Sequence, residues 1–395
     1  MKKRVIEIES VLKRKSIFLF GPRQTGKSTW LKNNFPNALY INLLSKKVYD
    51  DYLIKPNALE SDIEIFKRKN KSNIIIIDEI QKIPQLLDEV HNQIEINKEL
   101  KFILTGSSAR KLKRSGANLL GGRASWKNMF PYVYPEISDQ LKSINDLEKR
   151  LLFGGIPGIF DSEDPISDFD DYISIYLNEE IKAEGFVRNY EAFNRFLIVA
   201  GLSNSKQINF SEVANDCQIP PRTVHDYFQV LEDTLIGFML YPFKETVARK
   251  TVSSSKFYLF DTGLSNALVN RTQLNFATPE AGDIFEQFII LEIRAYISYT
   301  NKKMEMSYWR TTSKIEVDLI IKNESTKKLI AIEIKSKTNI LAKDFKGLEA
   351  ISEEFPEIKK IIVANVGRHS VEPNLKIELF PWVIFLQKLW SHEIF

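Results

Sequence analysis

The chain has 395 residues, 44% of them hydrophobic and 27% charged, with a formal net charge of +4. That length asks for two or three cores, and the composition is that of a folded, water-facing protein with no disordered bulk. The mild positive charge permits a nucleic-acid partner without demanding one, since no concentrated basic block occurs.

Cys217 is the only cysteine, so neither an internal disulfide nor a cysteine-built zinc site can form, which fits a reducing compartment. The charged first ten residues lack the apolar stretch of a signal peptide. No apolar run approaches the roughly 18 residues of a spanning helix. The expectation is a cytoplasmic protein with no membrane partner.

From residue 15 to about 130, short apolar runs alternate with longer segments of helical spacing. Ser16–Phe20, 38–44, 73–77 and 102–105 read as strands, and 61–70 and 84–94 as helices. This alternation predicts a parallel sheet with helices on its faces. The first strand runs into Gly21-Pro22-Arg23-Gln24-Thr25-Gly26-Lys27-Ser28, followed by Thr29. The pattern is G-x4-G-K-[ST] between a strand and a helix. Its turn aims successive backbone N–H groups inward, and the helix N-terminus adds partial positive charge, so a phosphate is the natural ligand. Lys27 is expected on the β- and γ-phosphates of ATP and Ser28 on Mg²⁺. The alternative, a glycine turn with an accidental lysine, is disfavoured by the flanking strand and helix.

Four isoleucines, Ile74 to Ile77, precede Asp78-Glu79, which predicts a central strand covered on both faces and ending in carboxylates at the ligand crevice. Asp78 is expected to hold Mg²⁺ and Glu79 to polarise the attacking water. A further strand ends in Thr105-Gly106-Ser107-Ser108. It is expected between the other two, with Thr105 sensing the γ-phosphate or orienting water. Arg110, Arg114 and Arg123 are candidates for transition-state charge, and Arg123, after Gly121-Gly122, is the favoured one.

These runs, with Asp78-Glu79-Ile80-Gln81, Gly121-Gly122-Arg123, Phe257-Tyr258-Leu259-Phe260-Asp261-Thr262-Gly263 and the segment from Gly282 to Glu286, resemble one prokaryotic family across essentially the whole chain. It comprises AAA-type ATPases of bacteria and archaea that carry a C-terminal domain of unknown function. The resemblance implies an ATP-binding N-terminal domain, a helical or winged-helix middle and a nuclease-like end.

The middle is largely helical. An amphipathic stretch at 193–201 precedes a helix-turn-helix pattern: 212–217 with Ser211 as N-cap, a break at Pro220-Pro221, and 222–234. In the last of these, Val224, Tyr227, Phe228 and Leu231 form one apolar stripe. Two wing strands follow, at 237–243 and 256–260. Arg222, Thr223, His225 and Gln229 could face DNA, but Asp226, Glu232 and Asp233 oppose phosphate. Lys244, Arg249 and Lys250 in the wing help modestly. Structural use is favoured over base reading.

The end reads as a helix at 282–298 containing Glu286, three strands (Met304–Arg310, 315–321 and Leu329–Lys335), a helix at 341–355 and the strand Lys359–Ala364. That order, with Asp318…Glu333-Ile334-Lys335, resembles the restriction-endonuclease fold and its D…E-x-K site. A hairpin closing around Ser325 and Thr326 would set Asp318 across from Glu333 and Glu316 across from Lys335. Glu316 and Asp318 would share one face, with Val317, Leu319 and Ile321 on the other. A second Mg²⁺ or a Mn²⁺ would relieve the facing carboxylates. The alternative is an ordinary solvated face.

The sequence thus predicts an α/β P-loop NTPase domain with a parallel sheet (1–140), a helical and winged-helix domain (141–265) and a restriction-endonuclease-like α/β domain (266–395). The expected function is an ATP-hydrolysing switch or motor, with DNA or RNA, a protein or a second copy as partner. The rivals are an ATP-regulated, metal-dependent nuclease and a winged-helix DNA-binding regulator.

Overall fold

The computed structural model describes residues 2–108, 120–177, 187, 189–244 and 254–395. Arg110, Arg114, Arg249 and Lys250 lie outside the described residues. Backbone packing separates two compact units, one built mainly from Met1–Phe130 and the other from most of the remaining chain.

The first unit is a five-stranded sheet of β1 (Ser16–Phe20), β2 (Leu39–Asn42), β3 (Ile74–Asp78), β4 (Lys101–Gly106) and β5 (Ala124–Asn128), in the order β2-β3-β4-β1-β5. Every pairing is parallel, and β4 lies between β1 and β3 as expected. Side-chain alternation explains the covering. Phe18, Phe20, Ile75, Ile77, Phe102 and Leu104 share one cluster with Leu59, Ile63, Leu86 and Val90 of the helices Ala58–Lys69 and Leu86–Ile96. The intervening Ile17, Leu19, Ile76 and Ile103 are buried as well. A strand with both faces covered tolerates a continuous isoleucine run.

The second unit begins with helices. Helix Phe210–Cys217 is capped by Asn209, whose Oδ1 accepts from the Ser211 and Glu212 backbone N–H groups. The expected cap, Ser211, is instead the second helical residue, because Asn209 holds the extended backbone of an N-cap and its amide oxygen satisfies both orphan donors. Pro221 opens helix Pro221–Asp233, where Val224, Tyr227, Phe228 and Leu231 are all buried. β6 (Gly237–Leu240) and β7 (Lys256–Leu259) pair antiparallel.

The run from Phe257 to Gly263 has a packing reason. Asp261 Oδ1 accepts from the Gly263 and Leu264 N–H groups at the start of helix Thr262–Ala267, while Oδ2 accepts from Gly155 N at 2.7 Å. The backbone of Phe153 presses so closely on Gly263 that a Cβ there would lie 2.6 Å from the Phe153 carbonyl carbon.

The unit closes with a six-stranded mixed sheet of β8 (Met304–Arg310), β9 (Glu316–Asn323), β10 (Leu329–Lys335), β11 (Lys359–Ala364), β12 (Ser370–Glu372) and β13 (Ile377–Pro381). Its order is β12-β13-β11-β10-β9-β8. β10 pairs β9 antiparallel from Leu329↔Lys322 to Ile332↔Leu319, the register of a hairpin closing around Ser325 and Thr326. One face packs against helices Pro279–Thr300 and Trp382–Trp390, and the other against Lys346–Glu354. The expected face assignment on β9 is corrected. Val317 joins the cluster of Ile320, whereas Leu319 and Ile321 join the opposite one. A register shift between Ser307 and Trp309 of β8 explains this, since an extra residue on β9 turns its side chains over.

Gly263→Ala should lower stability by about 1–3 kcal/mol, because backbone cannot rotate away as a side chain can. Gly282→Ala, whose Cβ would meet nothing nearer than Ser336 Oγ at 3.8 Å, should instead leave stability unchanged or raise it. Denaturant midpoints of both variants check the contrast.

Candidate functional sites

The parallel sheet brings the carboxyl ends of β1, β2, β3 and β4 together, and the loop 21–28 leaves β1 at that end. Gly21 is needed by close approach, since a Cβ there would sit 2.4 Å from the Met129 carbonyl oxygen. Gly26 has φ 89°, a left-handed conformation that a side chain would strain, and it precedes helix Lys27–Asn34. No side chain caps that helix, so its first-turn N–H groups are not claimed by a capping residue. Thr25 Oγ1 donates to Pro22 O at 2.9 Å and ties the loop across its base. Arg4 braces it from outside, donating to Thr25 O at 2.7 Å and Phe130 O at 2.5 Å. Lys27 is buried and donates to Gly21 O at 2.6 Å and Pro22 O at 2.9 Å. Arg23 and Gln24 lie on the loop's outer side, partly or fully exposed, and Thr29 is an exposed residue of the helix.

Asp78 gathers the hydroxyls around it. Ser28 Oγ donates to Oδ2 at 2.8 Å, the Tyr40 hydroxyl donates to the same oxygen, and Thr105 Oγ1 donates to Oδ1. Burial, reinforced by Asp78, holds the Tyr40 phenol well above its ordinary range. The Glu79 N–H donates to Thr105 Oγ1 at 3.2 Å. Glu79 itself adopts φ 64°, and its Oε2 accepts from Gln81 Nε2 at 2.5 Å. Gln81 also donates to Ser107 Oγ at 3.2 Å. Gly106 makes room for this amide, because a Cβ there would meet Gln81 Oε1 at 2.3 Å. Lys27, Ser28, Asp78, Glu79 and Thr105 are therefore arranged at one end of one sheet.

Arg123 is not brought there. It immediately precedes β5, whose Ala124 pairs with Ser16 at the start of β1, and its Nε is ion-paired with Glu95. Five residues of strand, roughly 16 Å, separate that end of β1 from the loop. Arg4, Tyr40, Gln81 and Ser107 went unassigned in the sequence. Only Gln81 carried a signal, its place directly after Asp78-Glu79-Ile80.

The donor set suits ATP and Mg²⁺. A hydroxyl and a carboxylate are already in contact in Ser28 and Asp78, as a hard cation requires, and the helix start that no side chain caps suits a phosphate.

In the second unit, Asp318 and Glu333 are buried, each 7% exposed, which overturns the solvated-face alternative. Asp318 Oδ2 accepts from Ile334 N at 2.8 Å and lies 3.5 Å from Lys335 Nζ, while Glu333 Oε1 is ion-paired with Lys335. Glu286 also joins. The unforeseen member is Lys256, the first residue of β7. Its Nζ lies 3.0 Å from Glu286 Oε1, 2.5 Å from Glu316 Oε1 and 3.9 Å from Asp318 Oδ1. Tyr258 OH donates to Glu286 Oε1 at 2.5 Å, and Arg310 pairs with the other Glu316 oxygen at 3.1 Å. Burial pushes Glu286 up to about 7 and Glu333 up to about 8. Against a burial penalty, Asp318 and Glu333 hold the Lys335 ammonium above its usual range. Among the described residues no group of three or more His, Cys, Asp or Glu side chains is disposed to hold a metal ion. As folded, this cluster does not fit a second divalent ion, because an ammonium stands between its carboxylates.

On helix Pro221–Asp233, Arg222, His225, Asp226 and Gln229 are exposed and Thr223 is half-buried. Glu232 is turned to structure, accepting from Met239 N at 2.9 Å. Among the described residues no helix is long and apolar enough to cross a membrane.

Residues 13–138 match the family model described as an AAA domain. Residues 144–275 match a domain of unknown function (DUF8612), and 281–385 another (DUF4143). The first match supports an AAA-type, P-loop ATPase assignment for that part of the chain. Uncharacterized proteins of Mycobacterium bovis and Mycobacterium tuberculosis are each 23% identical over 315 residues, spanning 77% of this chain and 67% of the relative. An uncharacterized protein of Haemophilus influenzae is 22% identical over 235 residues, 54% of this chain and 57% of its own.

Tyr40→Phe removes one donor to the Asp78 carboxylate and should cost about 1.5–3 kcal/mol, the range for a hydrogen bond to a charged group. Chemical denaturation of the nucleotide-free protein measures it, and an unchanged midpoint would contradict the bond.

Proposed function

We propose that this protein binds ATP with Mg²⁺ at residues 21–29 and hydrolyses it, acting as a nucleotide-dependent switch or motor. The observation that carries the reading is the convergence of Lys27, Ser28, Asp78, Glu79 and Thr105 at the carboxyl end of one parallel sheet. Lys27 exchanges its bonds to Gly21 O and Pro22 O for the β- and γ-phosphates. Gly26 and the uncapped helix start supply backbone N–H groups to the same oxygens. Ser28 and Asp78 would hold the metal, whose charge would offset that of the phosphate oxygens. Glu79 orients the attacking water and takes its proton. Thr105 touches both Asp78 and the Glu79 backbone, so it is placed to relate phosphate state to the position of Glu79. Arg123 could serve catalysis only in a second copy of the chain.

A metal-dependent nuclease is the second reading. The juxtaposition of Asp318, Glu333 and Lys335 favours it, and Lys256 among the carboxylates weighs against it. For the winged-helix region we favour a structural role. With Asp226 exposed beside Arg222 and His225, DNA binding by this face would be weak, salt-sensitive and indifferent to sequence.

Lys27→Ala should abolish measurable ATP binding by calorimetry. Glu79→Gln should keep binding and slow phosphate release by about 10²-fold, the scale of a general-base effect. Equal nucleotide affinity in wild type and Lys27→Ala would refute the site.

A further inference from the structure

We propose that Lys256 is the resident cation of the C-terminal carboxylate cluster, and that its ammonium and a divalent metal ion are mutually exclusive occupants of that cluster. The inference is independent of the nucleotide chemistry proposed above.

Lys256 does not reach the cluster as a loose surface side chain. It is 3% exposed, and its backbone is fixed on both sides. Tyr308 OH donates to Ser254 O, Ile208 N to Ser255 O at 2.9 Å, and Phe257 N to Lys206 O at 3.2 Å. The lysine is thus delivered by an anchored strand, and its Nζ stands between carboxylates contributed by two other elements, Glu286 from helix Pro279–Thr300 and Glu316 from β9. Buried carboxylates this close need a cation among them, and an ammonium with three donors meets that need as a divalent ion would.

The charge compensation is uneven. Arg310 takes the second oxygen of Glu316, and Lys335 takes Glu333 Oε1 and Asp318. Glu333 Oε2 is nonetheless buried with no hydrogen-bond partner. A carboxylate oxygen left unsatisfied at 9% side-chain exposure is an unused ligand on the carboxylate that Lys335 pairs through its other oxygen. Oxygen-rich surroundings of this kind suit a hard divalent cation. At the position bounded by Glu286, Glu316 and Asp318, what bars the ion is the Lys256 ammonium, since two cations cannot share these oxygens without strong repulsion in a water-poor setting. Withdrawing or removing Lys256 therefore converts a self-neutralised cluster into a metal site.

Calorimetry with Mn²⁺ on the full-length, nucleotide-free chain tests this. Wild type and Lys256→Arg, which keeps the cation, should show no site that depends on Asp318. Lys256→Met should gain one such site, at least tenfold tighter than any in wild type, and Lys256→Met with Asp318→Asn should lose it. The same ion should raise the melting temperature of Lys256→Met and not that of wild type. Should Lys256→Met fail to fold, Lys256→Met with Glu286→Gln replaces it, since one carboxylate then leaves with its counter-ion. An Asp318-dependent Mn²⁺ site of equal affinity in wild type, or none in the folded Lys256 variant, overturns the proposal.

Discussion

The N-terminal site depends on one carboxylate. Asp78 ends a strand in the middle of a parallel sheet, and it accepts hydroxyls from the helix after the glycine loop, from β2 and from β4. A buried carboxylate without such donors would be costly. Satisfying it fixes Ser28, Tyr40 and Thr105 relative to one another, and through the Glu79 N–H it fixes the backbone of the proposed base as well. The strand order makes this possible, because β4 pairs directly with β3 and Thr105 reaches across to Asp78.

The second unit meets the same requirement with cations. Glu286, Glu316, Asp318 and Glu333 lie in a setting too dry to leave charges bare, and Lys256, Arg310 and Lys335 are interleaved with them. Elsewhere in that unit, Glu292 accepts from Tyr134 N and Trp390 Nε1, and burial pushes it up to about 7. These are buried polar networks whose members must all be present, since removing one partner strands the others.

Elements set by local signals are legible in the sequence. The strands Ser16–Phe20, Met304–Arg310, Leu329–Lys335 and Lys359–Ala364 have the bounds expected from their apolar runs and flanking turns. The hairpin register followed from the loop between β9 and β10. The contacts that carry no local signal are tertiary. Tyr40 falls within a predicted strand and Lys256 opens a predicted wing strand, and nothing nearby in sequence names their partners. The β9 faces were misread because a bulge breaks the period of two without any glycine or proline to mark it. The last strands and helix Trp382–Trp390 were not distinguished at all, being an apolar stretch too short to separate strand from helix by period.

The proposed function stands or falls on nucleotide phosphates binding in the loop at 21–28. A crystal structure with Mg²⁺ and a non-hydrolysable ATP analogue tests it directly. Lys27 Nζ should leave the Gly21 and Pro22 carbonyls for the phosphate oxygens, with the metal at Ser28 beside Asp78. Analogue bound elsewhere, with Lys27 still hydrogen-bonded to its own loop, would contradict it.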